Sequence, residues 1–172
     1  MYPPMKLNHL QRSTDDTGLI QFAPYSVPDP QTGYALDDNA RGIVVALKYF
    51  QLTGDKRGLD LARTYLTFVR DAQTEVGDFH NFLASNYAWH DLESSEDSYG
   101  RALWGLGYAI ALGPERKLSQ TARHVFDQAL PRLESLVSPG PKPSAYWGWL
   151  TISKPIRIAG NSGRPSLAWP ML

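Results

Sequence analysis

Ser94-Ser95-Glu96-Asp97-Ser98-Tyr99-Gly100-Arg101-Ala102-Leu103-Trp104-Gly105-Leu106-Gly107 is the stretch that decides the fold. Small polar residues and two acids stand directly ahead of an apolar run. That order starts a helix, because short side-chain oxygens satisfy the unpaired N–H groups and negative charge meets the positive end of the helix dipole. The pattern has an echo at Tyr34-Ala35-Leu36-Asp37-Asp38-Asn39-Ala40-Arg41-Gly42, at an offset of 60 residues. The offset places Asp37 on Asp97, Arg41 on Arg101, Asp55 on Glu115 and Arg63 on Arg123. One supersecondary unit is used twice.

Working outward, residues 38–53 read as a helix with Ile43, Val44, Leu47 and Phe50 at helical spacing. Either Asp37 or Asp38 is the expected cap, and the run is apolar enough, with Val45 and Ala46, to be buried nearly all round. Thr53-Gly54-Asp55 ends it, and residues 57–72 form an amphipathic partner with Leu59, Ala62, Leu66 and Val69 on one face. The second unit repeats this: a helix at 96–112 with Gly100, Gly105 and Gly107, then an amphipathic helix at 115–136 that Pro131 should kink or stop. Three glycines in one helix cost about 1 kcal/mol each in propensity, so something must approach that backbone closely. Residues 1–33 read as an irregular entry with a short helix or turn near Leu7–Arg12 and an Asx-type turn at Thr14-Asp15-Asp16-Thr17-Gly18. Residues 73–95 are a long connection, the kind that carries function or local structure of its own.

The 172 residues suffice for one domain with a core, and 17 basic against 17 acidic side chains leave no net charge to mark a nucleic-acid or anionic-membrane surface. Cysteine is absent, which excludes disulfides and thiolate metal sites. No apolar run reaches the ~20 residues of a membrane span, and the N-terminus lacks the pattern of a signal peptide, so a cytoplasmic location is expected. No phosphate-cradling Gly-rich loop and no Gly-x-Ser-x-Gly elbow occurs, and no cofactor is expected. Residues 138–172 contain no Asp or Glu and are broken by Pro139, Pro141, Pro143, Pro155, Pro165 and Pro170. The fold class is therefore all-α: antiparallel helix hairpins (38–72 and 96–136) within residues 1–137, of the kind that builds an incomplete (α/α)6 toroid, followed by an irregular tail.

Four separated segments carry a resemblance: Thr14-Asp15-Asp16-Thr17-Gly18, Gly33 through Arg41, Phe79-His80-Asn81-Phe82, and Ser95 through Trp104. In this order they resemble a bacterial family of α/α-toroid domains, found alone or fused behind group-1 glycosyltransferases and often described as glycosidase-like. The resemblance covers roughly residues 5–139 and implies carbohydrate chemistry, with an oligosaccharide as ligand and a glycosyltransferase as partner. Members continue after a Ser-Pro like Ser138-Pro139 with Arg-Ala and a further inner helix, whereas Pro139-Gly140-Pro141 follows here. A one-nucleotide frame change would account for that difference, making residues from about 139 onward a frameshifted tail, and resequencing the codons around Pro139 tests this expectation. An incomplete ring would also expose apolar flanks through which copies associate.

If the two helix starts face one cleft, their acids suit glycoside chemistry, in which one carboxyl protonates the leaving oxygen and another serves as base or nucleophile. Asp38 and Glu96 are the acid/base candidates, with Asp97 beside them and Asp37 as a cap, orienter or sugar-hydroxyl acceptor. Arg41 and Arg101 lie one turn beyond Asp37 and Asp97, spaced either to stabilise the helix or to orient the acids. Phe79, Trp89 and Trp104 are candidate platforms for sugar faces, and His80 and Asn81 candidate hydrogen-bonding groups in the long connection, with His90 nearby. No spacing supports a metal site. A non-catalytic helical module and an inactive truncated remnant remain the other readings.

Overall fold

The structure is a computed structural model and describes residues 5–90 and 95–133. Helix α1 spans Asn8–Arg12, strand β1 Tyr34–Ala35, helix α2 Leu36–Thr53, helix α3 Lys56–Asp71, strand β2 Phe82–Leu83, helix α4 Glu96–Leu112 and helix α5 Arg116–Leu133. The chain is mostly helical, as its periodicity predicts. The tail at 138–172 and the end of the expected helix 115–136 lie outside the described residues. Pro131 does not stop α5, which runs on to Leu133.

The hairpins form because each turn has the right chemistry. Gly54 ends α2 at φ 72°, in the left-handed region that glycine enters without penalty. Asp55 then caps α3 by accepting from the Arg57 amide, and the Arg57 side chain holds its carboxyl down at about 2. Pairings across α2 and α3 run in opposite order: a Cβ at Gly58 would meet the Ala46 carbonyl, and one at Gly42 would meet the Tyr65 ring. α4 and α5 are likewise antiparallel, with Tyr99 reaching Ala129 at one end and Gly113 against Leu118 at the other.

α2 and α4 lie side by side and run in the same direction. Arg101 meets Asp37, Gly105 faces Ala40, and Lys48 lies over the Tyr108 ring. A Cβ at Gly105 would come within 2.6 Å of the Ala40 carbonyl oxygen, so one of the three glycines has the close neighbour that its cost demands. The outer helices α3 and α5 close the core from outside, with Leu59, Ala62, Leu66 and Val69 matched by Leu118, Ala122, Val125 and Phe126, all buried. Burying each large side chain of this kind stabilises the fold by roughly 1.5–3 kcal/mol. The expectation that α2 is buried nearly all round is overturned: Val45 is 43% exposed and Leu52 75%.

Two short strands are a feature that periodicity does not reveal. β1 pairs antiparallel with β2, Tyr34 opposite Leu83 and Ala35 opposite Phe82. The Leu36 amide then donates to the Asn81 carbonyl at 2.9 Å. This staple holds the long connection against the start of α2. The connection itself turns at Gly77 (φ 83°), where an added Cβ would run into the Gln128 carbonyl. It is further tied to α5 by Gln73, whose Nε2 donates to the Val125 carbonyl at 2.9 Å.

Candidate functional site

Because the inner helices are parallel and the outer ones return, the starts of α2 and α4, the end of α3 and the connection 72–90 gather at one end of the molecule. The acids of the two units meet there. Arg101 contacts Asp97 of its own helix (Nη2–Oδ2 2.7 Å) and Asp37 of the other (Nη1–Oδ2 3.3 Å). Arg41 contacts Asp37 at 2.9 Å and Asp38 at 2.5 Å. Asp37 is thus shared between two guanidiniums, and a continuous charge network joins Asp38, Arg41, Asp37, Arg101 and Asp97. Glu96 is exposed beside it, at the first position of α4.

The capping expectation for Asp37 and Asp38 is overturned. α2 begins at Leu36, Ala35 holds the cap position, and no side chain caps it. Asp37 and Asp38 lie inside the first turn, where they still complement the dipole while their side chains turn to Arg41. In α4 the cap is Ser95, whose Oγ accepts from the Ser98 amide at 3.1 Å, so Glu96 and Asp97 do not cap it. Three of the four acids, Asp37, Asp38 and Asp97, instead pair with Arg41 and Arg101.

Asp38 differs from an ordinary surface acid. Burial pushes its carboxyl above the usual value of 3.8, and the neighbouring Asp37 adds to the shift, against the pull of Arg41. The short Arg41 contact argues for the ionised form. Partial burial with an acid alongside outweighs it, because Asp37 draws on the same guanidinium.

The expectation that Phe79 is a sugar platform fails. Its ring is fully buried, 5.8 Å from the Tyr99 ring, because the turn at Gly77 aims it into the core. Trp104 is half-buried against the core. Trp89 is half-buried and stacks on His80, with centroids 5.1 Å apart and planes inclined by 14°, while Phe68 meets it edge-on at 5.6 Å. His80 and Trp89 therefore form a pre-assembled flat pair. The backbone of Asn81 is held by Leu36, and the exposed His90 sits edge-on to Phe82.

Several polar residues that the sequence does not single out are structural. Asn39 is fully buried, donating Nδ2–H to the Ala35 carbonyl and accepting from the Leu19 amide, each at 2.9 Å. Asp78 is buried against the Arg132 guanidinium, which also lies over the Tyr99 ring. Tyr34 donates to Asp15 at 2.6 Å, and burial together with that bond pushes its phenol up to about 12. Asp15 in turn closes the expected Asx turn through the Thr17 and Gly18 amides.

Among the described residues no group of three His, Asp or Glu gathers to hold a metal ion, and no helix is long and apolar enough to cross a membrane. The fold and site define an all-α protein of repeated hairpins with an acid–arginine network at the inner-helix starts. No protein-family profile matches the chain, and no curated protein matches it.

Proposed function

We propose that the chain is a carbohydrate-active domain of incomplete α/α-toroid type, using the acid-bearing end of its inner helices to bind an oligosaccharide or cleave a glycosidic bond. The observation that carries this reading is Arg101 spanning Asp37 and Asp97, which draws the acids of two repeated units into one network. Asp38, with its raised carboxyl, is the candidate proton donor, and Glu96 the candidate base or nucleophile. Asp37 and Asp97 are the orienting acids, each paired with a guanidinium. The His80–Trp89 pair supplies a flat face for a sugar ring.

The second reading is a non-catalytic helical module working beside a glycosyltransferase, or an inactive remnant of a longer bacterial domain. It is favoured by the engagement of Asp37, Asp38 and Asp97 with arginines, as ion pairs at helix starts require no substrate. Titration of the full chain with neutral, amino and acidic oligosaccharides, followed by calorimetry and by release of reducing ends, separates the two. Binding and hydrolysis that both disappear in Asp38→Asn and Glu96→Gln, with circular dichroism unchanged, support the enzyme. Binding without turnover supports the module, and an absence of binding across the panel rejects the carbohydrate reading.

A further inference from the structure

A second concavity lies away from the acid network, between the outer helices α3 and α5. Its volume is about 310 Å³, and it falls at the low end of what small-ligand sites occupy. Leu66 and Leu118, both nearly fully buried, form its floor. Thr67 and Arg70 rise from α3, and Lys117 and Thr121 from α5, each pair on one helix face. At the end nearest the start of α5, Arg63 reaches across to Glu115, its Nε 3.0 Å from Oε2, with a second guanidinium–carboxylate contact beside it. That bridge occupies the single carboxylate lining the concavity.

With Glu115 engaged, the remaining wall offers two cations and two hydroxyls above an apolar floor. We propose that this groove binds a small organic anion, an apolar body carrying a phosphate or carboxylate group, with Arg70 and Lys117 contacting the charge. Lys117 has no ion-pair partner among the described residues. Arg70 pairs at 2.7 Å with its chain neighbour Asp71, outside the lining. Both members of that pair are about half exposed, and such pairs contribute only about 0–1 kcal/mol, so an incoming anion displaces Asp71 at little cost. The hydroxyls of Thr67 and Thr121 donate to oxygens of the same ligand, and the leucine floor takes its carbon skeleton. The Arg63–Glu115 bridge spans the groove at that end. Nothing in this inference depends on the carbohydrate reading.

The test is a titration of the full chain with phenyl phosphate, followed by amide shifts in heteronuclear NMR, with phenol and inorganic phosphate as separate arms. The expected result is saturable shifts at Thr67, Arg70, Lys117 and Thr121, with weaker binding by either half-ligand. Binding should also weaken with added salt, and in Arg70→Gln/Lys117→Gln by about tenfold, the sum of two partly exposed charge contacts. The salt series on the unaltered chain serves if the double variant fails to fold. Absence of saturable shifts overturns the proposal. So does phenol binding as tightly as phenyl phosphate (an apolar groove only), inorganic phosphate binding as tightly (an adventitious ion only), or indifference to both salt and substitution.

Discussion

At Asp38 a single carboxyl feels burial, a second acid and an arginine at once, and the balance leaves it harder to ionise than in the unfolded chain. The sign of its effect on stability follows. Well below the ordinary carboxyl value of 3.8 the group is protonated in both states and contributes no difference. As pH rises through the raised folded value, the unfolded chain releases the proton more readily, and the fold loses stability relative to a chain without the group. Asp38→Asn should therefore unfold at higher urea than the parent at pH 7, with the gap closing as pH falls through 3.8, while Arg41 keeps Asp37 as a partner. A variant less stable at pH 7 would mean that the Arg41–Asp38 contact dominates instead. Asn39, the next residue, shows what sequence alone conceals. It reads as one more polar position near a helix start, yet the residue is fully buried, and one of its two hydrogen bonds reaches Leu19, twenty positions earlier. Asp78 is hidden for the same reason, its partner Arg132 being 54 residues away. A partner so distant leaves no local pattern.

At the scale of elements, the helices were legible because periodicity and turn chemistry are local. Gly54 and Asp55 mark the turn between α2 and α3, and on α5 the helically spaced Leu118, Ala122, Val125, Phe126 and Ala129 are buried. The two-residue strands were not legible, since a pair that short has no period, and the inward turn of Phe79 depends on the left-handed Gly77 two residues before it. The recurrence at 60 residues pointed to α2 and α4 as equivalents, and their mutual contact gives that equivalence a consequence. Gly105→Ala places a methyl against the Ala40 carbonyl, at a cost of about 1–3 kcal/mol from overpacking. The gain in helix propensity returns only about 1 kcal/mol. The expected outcome is a net loss in the denaturation midpoint. An unchanged or raised midpoint would show that α2 and α4 can move apart freely.

For the molecule as a whole, the long connection matters as much as the helices it joins. Its described part, residues 72–90, is tied by the strand pair at Phe82–Leu83 and by the Asp78–Arg132 ion pair at the end where the acids meet. Arg132→Met keeps much of the side-chain volume and strips Asp78 of its guanidinium. Breaking a buried pair in this way costs about 3–5 kcal/mol, and the partial exposure of Arg132 places the expectation toward the lower figure. Thermal melting followed by circular dichroism measures the loss. The companion change Asp78→Asn/Arg132→Met, which removes both charges, should recover part of it. A single-variant loss below about 1 kcal/mol would assign the pair to the class of weak surface contacts.

The staple between β1 and β2 has a further consequence. Because Leu36 and Asn81 are hydrogen-bonded, the chain enters and leaves the first hairpin at a single point. Everything between forms a closed excursion with its own turn at Gly54, where an added Cβ would meet nothing within 4 Å. Such a unit behaves as a cassette. New termini can be cut at Gly54, or a labelled segment inserted there, far from the acid-bearing end and without breaking the junction that positions it.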